Sequence, residues 1–91
     1  TNYSGSQPVE KPFYGDTNCD GVVELADAIL IMQSLANPDK YGIQGTDTNH
    51  LTEKGRINGD CDTTTEGLTS NDALAIQLYL LHRASSLPTA L

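Results

Sequence analysis

The sequence contains no tryptophan, one phenylalanine, one methionine and only two cysteines in 91 residues. Hydrophobic residues make up 37% of the chain, and a small domain with so thin a core often needs a metal, a disulfide or a partner for stability. Cys19 and Cys61 are too few for a disulfide framework and lack the clustering of a zinc site. The composition excludes a multidomain enzyme and indicates one small domain stabilised by something besides core packing.

Basic residues are scarce as well. Five Lys and Arg stand against twelve Asp and Glu, which gives a formal net charge of -7. This sign is wrong for binding nucleic acid or an anionic membrane surface, and cations are the expected partners. No apolar run approaches the roughly 20 residues of a membrane span. The chain opens at Thr1 without Met or a basic-then-apolar leader, so we expect it to be a segment of a longer protein.

Eight of the twelve acidic residues lie in two short windows. In the first, residues 16–27, oxygen-bearing side chains stand at the first, third, fifth, ninth and twelfth positions, and glycine stands at the sixth. This is the order of an EF-hand calcium loop, whose seventh residue adds a backbone carbonyl. Val23, at the eighth position, is expected to point into the core. The candidate calcium ligands are Asp16, Asn18, Asp20, Val22, Glu24 and Asp27.

The second acidic window departs from that order, and two registers compete for it. One register starts the loop at Asn58 and inserts three residues, whereas the other starts it at Asp60 and inserts one. We prefer the second register, because a glycine then precedes the first aspartate in both loops. With a neutral hydroxyl at the fifth position and no glycine at the usual bend, we expect this calcium site to be the weaker one. Its candidate ligands are Asp60, Asp62, Thr64 and Asp72.

An apolar run of helical length follows each loop. Helices are predicted over residues 27–37, ending before Pro38, and over residues 71–83. A short helix over residues 49–54, capped by Thr48 or Asn49, is predicted between them. Aligning the two loop-ending aspartates superposes one apolar stripe on the other, so the chain is predicted to be an all-α internal repeat. The inward stripes are Ala28, Ile31 and Leu35 in the first helix, and Ala73, Ile76 and Leu80 in the second.

A complete EF-hand also needs a helix before its loop, but two prolines and two glycines in residues 5–15 prevent one here. A calcium loop followed by one helix, used twice, resembles the type I dockerin module of cellulosomal enzymes and scaffoldins. The resemblance covers about residues 15–81 and is carried by GDTNCDGVVELADAILIMQSL and GLTSNDALAIQLYLL. It implies a duplicated calcium-loop–helix (half EF-hand) fold with antiparallel helices and two bound calcium ions.

The resemblance also implies a function. Dockerins are non-catalytic, calcium-dependent modules that bind a cohesin domain of a scaffoldin and anchor an extracellular parent protein in a cellulosome, which degrades plant polysaccharides. We expect a monomer that binds neither nucleic acid nor membrane. The alternative is an EF-hand-type calcium-binding sensor or regulatory domain, which is less favoured because no paired helices can open into a target groove. Catalysis is not expected, since His50, His82 and the cysteines show no nucleophile–base spacing.

The expected organisation is a tail over residues 1–12, a dockerin domain over 13–88 and a tail over 89–91. Within the domain, repeat one covers 15–37, a linker with the short helix covers 38–57, and repeat two covers 58–83. Phe13-Tyr14 and Leu87-Pro88 are apolar groups at the two ends, which we expect to meet as a clasp. Both cysteines are expected to be reduced, because antiparallel helices place the two loops at opposite ends.

The surface expected to bind the cohesin lies outside the inward stripes. Met32-Gln33 and Gln77-Leu78 stand where dockerin helices often carry Lys-Arg, which suggests a divergent subgroup with its own cohesin preference. Matching positions of the two helices differ in size or polarity, so we expect one dominant binding orientation. The candidate contact residues are Leu25, Ala26, Ile29, Leu30, Gln33, Asn37, Ser70, Asn71, Leu74, Ala75, Leu78 and His82.

Overall fold

The computed structural model describes residues 12–65, 67–83 and 85–90. These residues form no β-strand, and their single β-bridge is an isolated parallel pair between Asp62 and Thr89, which agrees with the predicted all-α class. In this part of the chain, each helix is too short or too polar to span a bilayer. The helices are α1 (Leu25–Ala36), α2 (Pro38–Tyr41), α3 (Glu53–Gly59) and α4 (Ser70–Leu80).

The two long helices, α1 and α4, each begin directly after an acidic loop. The third residue of each helix turns its carboxylate back, so that the backbone amide of Glu24 donates to Asp27 Oδ2 at 2.7 Å and that of Thr69 donates to Asp72 Oδ2 at 2.6 Å. These bonds satisfy amides that have no partner within a helix. The helices consequently begin one or two residues earlier than predicted, at positions 25 and 70.

The second helix also ends earlier than predicted, at residue 80 rather than 83. The amide of Leu81 still donates to the Gln77 carbonyl at 3.0 Å. His82 then adopts a φ of 59°, in the left-handed region, which a continuing helix does not allow. The chain therefore turns away three residues before the predicted end.

The core lies where α1 and α4 pack against each other. Val23 and Leu80 contact it as predicted, and Ile31 and Ile76 are completely buried at its centre. Small side chains around the two isoleucines let the helices approach closely. The buried cluster is Ala28, Ile31, Cys61, Ala73, Ala75 and Ile76, with Tyr14, Val23, Leu68, Leu80 and Leu87 packed against it.

Three positions on the long helices were predicted on the wrong side. Leu35, predicted to face inward, is 44% exposed, whereas Leu30 and Ala75, predicted to face outward, are 5% and 0% exposed. The buried face of α1 includes positions 27, 30, 31 and 34, which is the i, i+3, i+4, i+7 spacing of a helical stripe. The predicted stripe started one residue too late, because the loop-ending aspartate was assigned to the metal alone and not to the buried face.

The linker between the repeats contains two helices, α2 and α3. Helix α2 was not predicted, because Pro38 was interpreted only as the end of α1, although proline is also favoured in a first helical turn. Helix α3 begins at residue 53 rather than 49, because Thr52 Oγ1 accepts from the Gly55 amide at 3.0 Å and caps it. Gly55 has no room for a side chain, since a Cβ there would collide with the carbonyl oxygen of Thr17. Close contact between α3 and the first loop thus overrides the low helix propensity of glycine.

The two ends of the described chain meet beside the second loop. The Thr63 amide donates to the Thr89 carbonyl at 3.0 Å, and the Thr89 amide donates to the Cys61 carbonyl at 2.8 Å. Tyr14 and Leu87 both pack against the core. The predicted meeting of the termini is therefore present in the structure.

Of the two aromatic residues before the first loop, only Tyr14 lies against the C-terminal segment. Tyr14 and Pro88 line the same hollow, while Phe13 is 48% exposed. A Cβ at Gly15 would lie 2.7 Å from Leu87 Cδ1, so glycine permits the close approach of the C-terminal segment. Tyr14, rather than Phe13, is the aromatic partner of this segment.

We predict that Leu87→Ala lowers the melting temperature of the calcium-loaded protein. Leu87 packs against the core, and removing such a side chain costs about 1–3 kcal/mol when the site is partly buried. In a domain of this size, each kcal/mol of lost stability lowers the melting temperature by roughly 4–8 °C. Leu81→Ala is the matched control, because Leu81 is 69% exposed. Equal melting temperatures for the two variants would contradict a stabilising clasp.

Both cysteines are free, as predicted. Cys19 is exposed, whereas Cys61 is completely buried in the core cluster. Its Sγ lies 3.4 Å from the Asn58 carbonyl oxygen, to which it donates. Burial raises the pKa of the Cys61 thiol to about 12, so this thiol stays protonated and unreactive at neutral pH.

We predict that a thiol reagent modifies Cys19 quickly and Cys61 only after unfolding. The reactive species is the thiolate. In the folded state the Cys61 thiol is buried away from the reagent, and its raised pKa keeps it protonated. Thiol titration in calcium is expected to give one fast equivalent, with a second appearing on denaturation. Cys19→Ser should remove only the fast phase. Two fast equivalents in calcium would show that Cys61 is accessible.

Candidate metal site and helix surfaces

The first acidic loop is closed by hydrogen bonds from its own backbone. The Asp16 carboxylate accepts from the Asp20 amide at 3.1 Å and from the Gly21 amide at 2.9 Å. The Asn18 amide donates to Asp27 Oδ1 at 3.1 Å, and Asn18 Oδ1 accepts from the Asp20 amide at 3.2 Å. Gly21 has a φ of 93°, which supplies the bend expected at the sixth position.

Three carboxylates of this loop converge. Asp16, Asp20 and Asp27 each offer an oxygen within 4.8 Å of the others, and within the described ranges no other such group of three or more acids, histidines or cysteines is found. Asp27 and Asp16 are buried, while Asp20 is exposed. Like charges this close repel each other strongly unless a cation lies between them. Hard oxygen donors around one point are the ligand set that Ca²⁺ prefers, so the residues fit the ion.

Other predicted ligands of the first loop lie around these three. Asn18 and Glu24 have exposed side chains, and Val22 is 50% exposed. Val22 was predicted to contribute only its carbonyl, so an exposed side chain is compatible with that role. The convergence in the structure is therefore carried by the aspartates.

The second loop repeats three hydrogen bonds of the first. The Asp62 amide donates to Asp72 Oδ1 at 2.8 Å, as the third residue of the first loop does to its last. The Thr64 amide donates to Asp62 Oδ1 at 2.9 Å, as the fifth residue of the first loop does to its third. The Thr69 amide donates to Asp72 Oδ2, as the ninth residue does in the first loop. The bonding pattern matches the count that starts at Asp60.

The side chain of Asn58, the first ligand in the competing register, is used elsewhere. It is buried, its Oδ1 accepts from the Phe13 amide at 3.1 Å and its Nδ2 donates to the Asp16 carbonyl at 3.0 Å. This amide therefore ties the segment before the first loop to the end of α3. Its contacts are structural ones between the two halves of the chain.

The second loop also differs from the first. It was predicted to lack a bend glycine, but Gly67 has a φ of 86° and provides a left-handed residue shortly after the usual place. Asp62 and Asp72 are buried and Asp60 is partly buried. Thr64 is exposed, and its hydroxyl donates to Asp62 Oδ1 at 2.6 Å. The described acids of this loop, Asp60, Asp62 and Asp72, do not converge as those of the first loop do.

Burial places the last aspartate of each loop in an unfavourable electrostatic environment. Desolvation raises the pKa of both Asp27 and Asp72, against backbone hydrogen bonds that lower it. The charges of Asp16 and Asp20 raise the pKa of Asp27 further. A bound cation would stabilise the ionised form of these carboxylates, which protons otherwise neutralise.

We predict opposite effects of pH with and without calcium. The pKa values of Asp27 and Asp72 are raised in the folded state, so their contribution to stability is full below the unfolded pKa and is lost as pH rises through the folded pKa. In chelator, helicity should therefore increase as pH falls from neutral toward about 4. In calcium it should decrease, because protons displace the ion. A decrease on acidification in both buffers would contradict these shifts.

The outer faces of the long helices carry exposed apolar side chains. On α1, Leu25, Ile29 and Met32 are 55%, 48% and 46% exposed, and their spacing of four and three residues forms one stripe. Leu35, near the end of the same helix, is 44% exposed. On α4, Leu74 is 45% exposed, and Leu81, the residue directly after the helix, is 69% exposed. The predicted contact residues did not include Met32 and Leu81. Met32 lies seven residues after the predicted contact Leu25, and Leu81 lies seven residues after the predicted contact Leu74.

The other predicted contact residues surround these stripes. Leu30 and Ala75 belong to the buried side instead, and Gln33 and Leu78 are half-buried. The remaining predicted residues, Ala26, Asn37, Ser70, Asn71 and His82, are exposed.

No protein-family model matches the chain. A xylanase/beta-glucanase of Ruminococcus flavefaciens is 57% identical over 75 residues, which cover 82% of this chain and 9% of that protein. The solved complex of the third ScaB cohesin of R. flavefaciens with a group 1 dockerin contains a chain with a TM-score of 0.80 and 51% identity, covering 82% of this chain and 95% of the matched one. The Acetivibrio cellulolyticus complex of the third ScaC cohesin with the ScaB dockerin gives a TM-score of 0.65 at 26% identity, over 86% and 94% of the two chains.

The fold and the acidic loops thus define a small helical module with a candidate calcium site. The chain belongs to the dockerin family, and its resemblance to type I dockerins is confirmed. The chain spans 9% of the length of the xylanase/beta-glucanase, so that match concerns one segment of a much larger protein.

Proposed function

We propose that this chain is a non-catalytic docking module that binds a cohesin domain of a scaffoldin and thereby anchors its parent protein in a cellulosome. The observation that carries the proposal is its match over almost the whole length of a dockerin-sized chain in a cohesin complex. The stripe formed by Leu25, Ile29 and Met32 supports it, because exposed apolar rows on small proteins commonly mark protein interfaces.

We infer that calcium holds this module together at two sites. The three aspartates of the first loop form the first site, with the other predicted residues of that loop completing the coordination. The repeated hydrogen bonds support a duplicated loop–helix unit and a second loop that starts at Asp60. The helices of the two units are proposed to be antiparallel. Thr64 adds no charge, so the second site is the weaker. The proposed ligands are Asp16, Asn18, Asp20, Val22, Glu24 and Asp27 in the first loop, and Asp60, Asp62, Thr64 and Asp72 in the second.

The parent protein is proposed to be an extracellular enzyme or scaffold that acts in plant polysaccharide degradation. The named relative supports this, because the match covers only a segment of a xylanase/beta-glucanase. The proposed module extends over residues 13–88, with repeats at 15–37 and 58–83. Of this range, the structure describes all but residues 66 and 84.

The proposed cohesin contact is formed by the outer faces of α1 and α4. Ile29 and Leu74 occupy equivalent positions, two residues after the loop-ending aspartates, and are exposed to nearly the same extent. Leu30 and Ala75 do not belong to these exposed faces, since their side chains are buried.

The test is complex formation between this chain and the third ScaB cohesin of R. flavefaciens, together with the other cohesins of that scaffold. In calcium, we expect a one-to-one complex in size-exclusion chromatography with at least one of them. Ile29→Asp should elute as free module, since a charge replaces an exposed apolar contact. Asp39→Asn, an exposed change in the linker, serves as the control. Absence of any complex with the unmodified chain would contradict the proposed function.

A further inference from the structure

A hollow of about 340 Å³ lies along one side of the exposed stripe of α1. Ile29 belongs both to the stripe and to the wall of the hollow, so the two surfaces are continuous. Leu30, which is 5% exposed, lies at its base. The opposite wall comes from the linker. The hollow is lined by Asn18, Ala26, Ile29, Leu30, Gln33 and Asn49.

The linker wall is held in place by backbone hydrogen bonds. The Leu51 amide donates to the Tyr41 carbonyl at 2.7 Å, and the Asp47 amide donates to the Lys40 carbonyl at 3.0 Å. The Asn49 amide donates to Asp47 Oδ1 at 2.8 Å, which fixes the turn at the rim. Leu51 is buried, at 3% exposure, and anchors the segment. The hollow is therefore preformed, and little ordering is needed when it is filled.

The chemistry of the rim differs from that of the base. Within the described chain, the side-chain amides of Gln33 and Asn49 have no hydrogen-bond partner, and the Nδ2 of Asn18 donates to no described residue. The apolar part of the lining is formed by Leu30 at the base and by Ile29 in the wall. Primary amides offer both donors and acceptors. None of the lining residues is charged, so a charged end would find no counter-charge in the hollow. The occupant that suits this site therefore has an apolar stem and a neutral end that both donates and accepts.

We propose that this hollow is a specificity pocket for the cohesin, in which an uncharged amide or hydroxyl side chain of the partner binds between α1 and Asn49. The inference rests on the proposed function, since it assigns the linker to the same contact surface. An amphipathic side chain seated in a preformed pocket contributes far more to discrimination than a contact on an open face. The long linker would thereby select among cohesins as well as connect the repeats.

The test fills the hollow without altering the helix face. Asn49→Trp places a bulky ring at the exposed rim, and we expect its affinity for a cohesin that binds the unmodified chain to fall about tenfold or more. Asn49→Ala removes only the amide and should lower the affinity about threefold. Gln44→Trp is the matched control, because Gln44 is exposed on the linker but does not line this hollow. Circular dichroism in calcium should show the same helicity for all the variants.

The outcomes separate the two proposals. If the unmodified chain binds none of the ScaB cohesins, the proposed function fails and this inference fails with it. If the unmodified chain binds while Asn49→Trp and Asn49→Ala bind equally well or better, only the specificity pocket is overturned. Equal losses in Asn49→Trp and Gln44→Trp would also overturn it, since bulk anywhere on the linker would then explain the effect.

Discussion

Removal of calcium is expected to unfold most of this chain. Three carboxylate oxygens lie within 4.8 Å of one another, and two further aspartates, Asp62 and Asp72, are buried in the second loop. Two calcium ions would bring the formal net charge from -7 to about -3 and relieve this repulsion. Free calcium at a hundredfold excess over the Kd stabilises a fold by about 3 kcal/mol per site. Far-ultraviolet circular dichroism during chelator titration is the measurement, and unchanged helicity in excess chelator would refute the expectation.

The two loops should contribute unequally to this effect. Asp16→Ala combined with Asp27→Ala removes two of the converging carboxylates, and we expect it to cost more stability in calcium than Asp60→Ala combined with Asp72→Ala. Both pairs remove one loop-ending aspartate whose carboxylate accepts backbone amides. The first pair also removes the Asp16 carboxylate, which accepts from the Asp20 and Gly21 amides, so the two pairs are compared both in calcium and in chelator. Asp39→Ala is the control for loss of an exposed acid. A larger loss from the second pair would show that the second loop binds calcium more tightly.

Introducing a negative charge on the helix faces is expected to abolish cohesin binding in at least one of two matched variants. If the module rotated by half a turn on the cohesin, the two helices would exchange places. Ser70 and Gln77 would then occupy the positions of Leu25 and Met32. A polar group buried without a partner costs about 1–3 kcal/mol, so one orientation should dominate. Leu30, one of the predicted contact residues, is unsuitable for this test because it is buried.

The matched pair is Ile29→Asp and Leu74→Asp, which change equivalent positions of 48% and 45% exposure. We expect Ile29→Asp to reduce the affinity more than about a hundredfold, because α1 carries the longer apolar stripe. Titration calorimetry against one cohesin measures both variants. In a module that binds equally well in two orientations, each single variant would keep near-normal affinity. Unchanged affinity in both variants would therefore refute a single binding orientation.

The first loop could be predicted from the sequence because its chemistry is local. A twelve-residue spacing of oxygen ligands, a bend glycine and Val23 all lie within one short segment, and the structure brings Asp16, Asp20 and Asp27 together as expected. The register of the second loop could not be decided from residue spacing alone, because two starting residues fit the spacing. Only the hydrogen bonds of Asp62 and Asp72 distinguish the two possible counts.

The linker and the orientation of the long helices were harder to predict, because both depend on tertiary contacts. Gly55 is unfavourable in an isolated helix, but it allows α3 to contact the backbone of Thr17. Leu30 was predicted to face a partner, but in the structure Leu30 and Asn49 of the linker line the same hollow. Spacing along one helix identifies an apolar face, but the neighbouring segment decides which side of that face is covered.

The central claim is that calcium organises the loops and helices into a cohesin-binding surface. It is tested most directly by measuring the affinity of the unmodified chain for one ScaB cohesin across a calcium titration, with magnesium as the control ion, which prefers a smaller octahedral site. We predict that the affinity rises with calcium in parallel with helicity and that magnesium does not restore it at equal concentration. Equal affinity in excess chelator and in calcium would contradict the account.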